Sequence, residues 1–270
     1  MSTQNARNAR NVMILGGHGK VALKASPKIV EAGHTLTSVV RNPDHVADVE
    51  ATGAKAVVQD IEQLDVAGFE KLFADQDVII WSAGVGGGDD ARTYRVDRDA
   101  AIRSIDAAGS KRYIMVSYFN SRADHGVPED HSMFTYCESK AAADDHLRAS
   151  ATQWTIVGPS ALTLDEPTAK IETRAPKADG TANGDDELQS SQVSRADVAT
   201  VIAEVVDRPN LVGHFIEFNN GDTPHCRGSR RTRRKLNKPH RTEKRNPHGS
   251  WPCSTVGRHC TYRQEGCGHH

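Results

Sequence analysis

Cysteine is almost missing from the first 224 residues of this chain. Cys137 stands alone there, and the other four, Cys226, Cys253, Cys260 and Cys267, all follow. A body so poor in cysteine fits a reducing cytosol. Long apolar runs are missing too, so nothing reads as a membrane span. The opening stretch from Met1 to Arg10 is polar and lacks the apolar segment of a signal peptide. These absences lead to the expectation of a soluble, cytoplasmic body with no membrane partner and a flexible N-terminus over residues 1–10. Net charge is nearly absent as well, at −1, but that total hides two unlike segments. Residues 225–270 carry +10 and the preceding 224 carry −11.

The basic segment holds two large aliphatic residues, Leu236 and Val256. They cannot bury enough surface to offset chain entropy, so a disordered tail is expected. Three readings of it compete. Arg230, Arg231, Arg233, Arg234 and Lys235 suit a nucleic-acid arm. The cysteines with His240, His248 and His259 suggest a zinc site, but Cys253-x6-Cys260-x6-Cys267 matches no common ligand spacing. The abrupt change after Thr223-Pro224 is best read as out-of-frame or vector-derived sequence. Nucleic acid is therefore not an expected partner of the body, and no metal site is expected.

What the body does contain is an alternation of strands and helices. Val12 to Leu15 reads as a buried strand. Gly16, Gly17 and Gly19 break it, and a helix follows over Lys20 to Ala32, with Pro27 expected to kink or shorten it. Further strands are expected at Thr35–Val40, Ala54–Val58, Asp77–Trp81, Lys111–Val116, Trp154–Val157 and His214–Phe218. Helices are expected after Pro43, around Val66–Ala74, and over Arg92–Ala108, His131–Ser150 and Arg195–Val206. Ser194 suits the last of these as N-cap, with Asp197 as its third residue. Thr163 to Asp186 reads as loops. This order predicts an α/β fold, a Rossmann-type doubly wound parallel sheet in a single domain over residues 11–224. In such a sheet the strand ends line the ligand crevice. Gly16–Lys20, Arg41, Asp60, Ser82–Gly88, Ser117 and Pro159 all follow strands.

The glycine turn has a specific physical use. Gly16-x-x-Gly19-x-x-Ala22 stands directly after a strand and at the start of a helix. Backbone N–H groups at that helix start can carry a pyrophosphate, provided no Cβ holds it away. Tyr136 and Lys140 stand four residues apart within an expected helix, so phenol and ammonium share a face. A lysine beside a tyrosine is expected to lower the phenol's pKa and make it an acid/base group. Ser117, ending the fifth strand, can hydrogen-bond the same substrate oxygen. Histidines 34, 45, 125, 131 and 146 show no ligand spacing and read as surface residues. Asp89-Asp90 and Asp185-Asp186-Glu187 read as solvated loop acids.

Taken together, Gly16 to Ala22, Val40-Arg41-Asn42-Pro43, Asp60, Val96 to Ala101, Val116-Ser117, Tyr136-x-x-x-Lys140 and Trp154 to Ser160 resemble the atypical short-chain dehydrogenase/reductases. The closest likeness is to their compact NAD(P)-binding group of NmrA-like and biliverdin/flavin-reductase-like proteins. The resemblance covers about residues 11–224. It implies that Gly16, Gly19 and Ala22 carry the phosphate turn, within which Gly17, His18, Lys20 and Val21 also lie. It implies that Asp60 and Ile61 border the adenine, that Ser82, Ala83 and Gly84 line the ribose and nicotinamide side, and that Pro159, in the proline turn closing the sixth strand, belongs to the cofactor site. Lys140 would hold the nicotinamide ribose and Tyr136 would be the acid/base. Arg41 has its own argument. An acid usually follows the second strand when the ligand is NAD. An arginine fork there suits a ribose 2′-phosphate, so NADP(H) is the expected cofactor, with NAD(H) as the lesser option. The expectation is an NADP(H)-dependent oxidoreductase acting on a small carbonyl, quinone or similar molecule. A dinucleotide-binding sensor and an epimerase or isomerase on the same scaffold are the alternatives.

Overall fold

The first strand, β1 (Asn11–Leu15), serves two cores at once. Val12 and Ile14 enter one, Met13 and Leu15 the other, and none is more than 2% exposed. Side chains alternate along a strand, so an unbroken apolar run is what a strand covered on both faces requires. A computed structural model of the chain describes residues 9–86, 88–173 and 188–224. These lie within one compact unit, Met1–Arg227. The expectations for the tail from residue 225, for most of the N-terminal stretch and for Asp185-Asp186-Glu187 fall outside the described residues.

The remaining strands are β2 (Thr35–Val40), β3 (Lys55–Val58), β4 (Val78–Trp81), β5 (Arg112–Val116), β6 (Gln153–Pro159), β7 (Ala161–Thr163), β8 (Lys170–Thr173), β9 (Gln192–Ser194), β10 (His214–Asn220) and β11 (Thr223–Pro224). The main sheet runs β11-β8-β10-β6-β5-β4-β1-β2-β3. From β10 to β3 every neighbouring pair is parallel, and β8 and β11 are added antiparallel at the far edge. The chain lays β2 and β3 to one side of β1, then crosses to β4 on the other. That reversal opens a crevice beyond the carboxyl ends of β1 and β4.

One face of the sheet carries α1 (Lys20–Glu31) and α7 (Arg195–Val206), with Val49 of α2 (Val46–Glu50) packed beside them. The other carries α3 (Val66–Phe73), α5 (Ala101–Ala108) and α6 (Phe134–Ala149). Caps fix several starts. Asp65 accepts from Gly68 N at 2.7 Å, and Ser194 accepts from Asp197 N at 3.0 Å, as its spacing predicts. Asp89, expected as a solvated acid, caps α4 (Asp90–Thr93) by accepting from Arg92 N at 2.9 Å.

Three local expectations change. Pro27 does not shorten α1, which continues four residues beyond it to Glu31. The helix expected from Arg92 begins at Asp90 and passes through a π-helical stretch, Tyr94–Ala100, before α5. The wider turn carries Asp97 into the interior, where it is 1% exposed, and π-helical turns recur beside functional sites. Finally, the stretch expected as loops from Thr163 contains β8, whose Ile171, Glu172 and Thr173 pair with Asn220, Asn219 and Phe218 of β10.

Candidate active site

The glycine turn is pressed against the end of β4. Gly16 has φ +85°, and a Cβ there would lie 2.6 Å from Ala83 Cα, so only glycine fits. Gly17 N donates to Val39 O at 2.8 Å and Gly19 N to Gly16 O at 3.0 Å. Gly19 caps α1 without a side chain, and no acid lies in the first turn of that helix. The leading N–H groups of α1 are left without intrahelical acceptors, the arrangement that binds a phosphate.

A cleft of about 340 Å³ opens beside this turn. Of the residues singled out from the sequence, Gly16, His18, Gly19, Arg41, Asp60, Ile61, Ser82, Ala83 and Gly84 share its wall. Gly17, Lys20, Val21, Lys140 and Pro159 do not. Gly17 has spent its N–H on β2, Val21 packs into the core and Lys20 is exposed. Arg41 is exposed, and its guanidinium has no hydrogen bond or ion pair among the described residues. Gly84 is held close to the interior carboxyl of Asp97. A Cβ at Gly84 would stand 2.9 Å from Asp97 Oδ1, while Asp97 Oδ2 accepts from Val85 N at 3.0 Å.

Some wall residues gave no signal in the sequence. His45, expected at the surface, lies on the cleft and stacks on His18, with ring centroids 3.6 Å apart and planes 12° apart. His34 is also not a surface residue. It is 5% exposed and contacts Arg10 N and Asp207. Glu62 is gripped by Arg95 at 2.7 Å and Arg92 at 3.1 Å. The Arg95 guanidinium, helped by Arg92 and opposed by burial, holds the Glu62 carboxyl below its ordinary value.

A second hollow, of about 510 Å³, adjoins at Gly86. Ser117, Tyr136, Tyr118, Cys137 and Pro159 line it, and the rings of Tyr118 and Tyr136 lie 5.6 Å apart. Beneath it lies a buried charge cluster. Lys140 is 2% exposed and donates to Val116 O at 2.8 Å and weakly to Met115 Sδ at 3.6 Å, leaving one of its three donors. Asp144 Oδ2 accepts from Ser117 at 2.5 Å and from Ser121 at 2.6 Å. Burial raises the pKa of both Asp144 and Asp97, and the Lys140 charge opposes the rise in each. Asp144 was not picked out from the sequence. Tyr136, Lys140 and Asp144 are spaced by four, a signal that points to one helix face.

The cluster changes two expectations about the chemistry. Tyr136's phenol is raised, not lowered, first by burial and then by the carboxyls of Asp97 and Asp144. The Ser117 hydroxyl proton is committed to Asp144, so only its lone pairs remain for a ligand in the hollow. Among the described residues no cluster of three His, Cys, Asp or Glu could hold a metal ion, and no helix is long and apolar enough to cross a membrane.

A parallel sheet with this strand order, a glycine turn at its switch point and a cleft along the strand ends define a single dinucleotide-binding domain of Rossmann type. The chain belongs to the NAD(P)H-binding family, whose model it matches over residues 16–209. It is 30% identical over 221 residues to the uncharacterized sugar epimerase YhfK of Bacillus subtilis, covering 79% of this chain and 95% of that one. Its fold matches a candidate NAD-dependent epimerase/dehydratase of Bacillus halodurans with a TM-score of 0.70 at 32% identity, over 80% of this chain and 96% of the other. A short-chain dehydrogenase/reductase of Veillonella parvula, solved in complex with NADP, shares the fold at 15% identity and a TM-score of 0.59, over 81% and 98% of the two chains. The cleft fits a dinucleotide on its own evidence. The cradle at Gly16 leaves no room for a Cβ, and the Arg41 guanidinium on its wall has no partner among the described residues.

Proposed function

We propose that the protein is an NADP(H)-dependent oxidoreductase acting on a small carbonyl, quinone or similar acceptor. The observation that carries this reading is the junction of the two hollows at the loop after β4. Gly84 and Val85 wall the first, Gly86 walls the second, and Ser117 and Tyr136 line the second. NADP(H), when bound, supplies or takes the hydride. The turn at Gly16 and Gly19 and the start of α1 would hold the pyrophosphate, and Arg41 the 2′-phosphate. Asp60 and Ile61 would border the adenine, and Ser82, Ala83 and Gly84 the nicotinamide side. Lys140, buried beneath the second hollow, would offer its remaining donor to a ribose hydroxyl.

Tyr136 would hold the proton. The phenol is protonated near neutral pH and can donate to the oxygen of a carbonyl being reduced, while burial, by raising its pKa, makes it the weaker acid. Ser117, its proton held by Asp144, would orient the substrate by accepting from a donor group beside the reacting carbonyl. The apolar wall from Tyr118, Phe119 and Met133 would exclude water around the reacting carbon.

The test is to identify by mass the dinucleotide that copurifies or can be titrated in, then screen NADPH oxidation over aldehydes, quinones and flavins. Oxidation with one acceptor class supports the reading. The epimerase names of the B. subtilis and B. halodurans proteins favour a second reading, in which the cofactor is retained and restored in each turnover. Substrate isomerisation without net NADPH oxidation would establish it. Tight NADPH binding with neither reaction would leave a dinucleotide-binding sensor.

A further inference from the structure

We propose that His18 and His45 complete, with Arg41, a proton-dependent clamp for the ribose 2′-phosphate, so that preference for NADP(H) over NAD(H) strengthens as pH falls through the neutral range. This rests on the reading of the cleft as an NADP(H) site. Three observations carry it. The two imidazoles come from different strand ends, the glycine turn after β1 and the turn after β2, yet stack at 3.6 Å on the wall that bears Arg41. His18 Nε2 lies 2.9 Å from Asp48 Oδ2. Neither ring nitrogen of His45 has a hydrogen-bond partner among the described residues, and neither does the Arg41 guanidinium. The other charged groups around the stack are Lys20 at the start of α1, Asp44 and Asp48 after β2, and Asp60 after β3.

Imidazole is the side chain that changes charge between about pH 5 and 8. Two imidazolium rings stacked at 3.6 Å would repel each other, and the Asp48 carboxylate faces His18 Nε2 at 2.9 Å. A phosphate monoester brings between one and two negative charges near neutral pH and gains from a charge-assisted donor. The 2′-hydroxyl of NAD(H) gains little from the same proton. Proton uptake is therefore linked to binding of the phosphorylated cofactor only. Arg41 is charged at every relevant pH. Alone it would give a discrimination that is flat through neutrality and weaker where the phosphate takes its second proton. The histidine pair reverses that slope.

Calorimetric titration with 2′,5′-ADP and with 5′-AMP, at about pH 8.5 and about pH 6.5, reads this directly for the wild type, His45→Gln, Asp48→Asn and Arg41→Ala. In the wild type the affinity ratio should rise roughly five- to tenfold on acidification. His45→Gln should abolish the rise, and Asp48→Asn should move it to lower pH. Arg41→Ala should weaken 2′,5′-ADP at both pH values while keeping the slope, which separates the clamp from the underlying NADP(H) reading. A wild-type ratio that is flat or falls on acidification overturns the clamp. So does a His45→Gln protein that loses both ligands equally, because the stack would then be an adenine platform. Absence of any preference for 2′,5′-ADP, with Arg41→Ala unchanged, overturns the clamp and the NADP(H) reading together.

Discussion

Ser117 donates its hydroxyl proton to Asp144 across 2.5 Å, and the carboxyl that receives it is wholly buried. Ser121 donates to the same oxygen from the loop after β5. Asp144 thus ties that loop to α6 beneath the second hollow. Asp144→Ala would leave two buried hydroxyls without their acceptor and would strip Lys140 of a countercharge. It should cost about 3–5 kcal/mol of stability, with Asp144→Asn costing less because an acceptor oxygen remains. Urea unfolding checks this, and an Asp144→Ala midpoint equal to the wild type's would contradict it.

Asp144 also gives stability an unusual pH dependence. Burial raises its pKa above the ordinary 3.8 in the folded state, so the native protein binds this proton more tightly than the unfolded chain. Its contribution therefore improves as pH falls from neutral toward that value, and is lost again as pH rises through the folded pKa. Asp197 has the opposite sign. Burial opposes it, but hydrogen bonds from Thr168, Ser194 and Ala169 hold its carboxyl below 3.8. Its stabilisation is present above that value and lost below it. Asp144→Asn should flatten the gain on acidification from neutral toward about pH 4, and Asp197→Asn should leave that slope intact. Denaturation midpoints measured across this range distinguish the two.

Arg41 provides the cofactor test at fixed pH. Loss of a guanidinium on a phosphate forfeits a charge-assisted pair, so Arg41→Ala should weaken NADPH roughly 10- to 100-fold and NADH less than about threefold. Fluorescence titration of both reduced cofactors measures this. Equal weakening would mean that Arg41 does not meet the 2′-phosphate.

Gly84 tests the junction between the hollows. The added Cβ of Gly84→Ala would stand 2.9 Å from Asp97 Oδ1 and displace the carboxyl from Val85 N–H. Crowding of this kind costs about 1–3 kcal/mol. NADPH affinity should fall about tenfold or more, because the displaced loop borders both hollows. Unchanged affinity in the same titration would remove this loop from the cofactor's site.

Much of this arrangement was legible in the sequence because it is local. The apolar run into Gly16 and Gly19, Ser117 at a strand end and Tyr136 four residues before Lys140 each carry their own spacing. The direction of the Tyr136 pKa was not legible, because it depends first on burial and then on Asp97, which arrives from another helix through a π-helical turn. The His18–His45 stack likewise depends on how the turn after β2 folds back. Strand β8 was hidden for a different reason. Lys170, Glu172 and Thr173 are exposed and Ile171 is its one half-buried residue, so pairing with β10 leaves no apolar alternation to read.

If Tyr136 delivers the proton in an NADP(H)-linked reduction, Tyr136→Phe removes that proton and leaves the cofactor's contacts in place. With the acceptor found by the screen, turnover and NADPH affinity are measured on the same preparation. Turnover should fall by about 100-fold or more while NADPH binding stays within about twofold of the wild type's. A Tyr136→Phe protein that oxidises NADPH at the wild-type rate would contradict it.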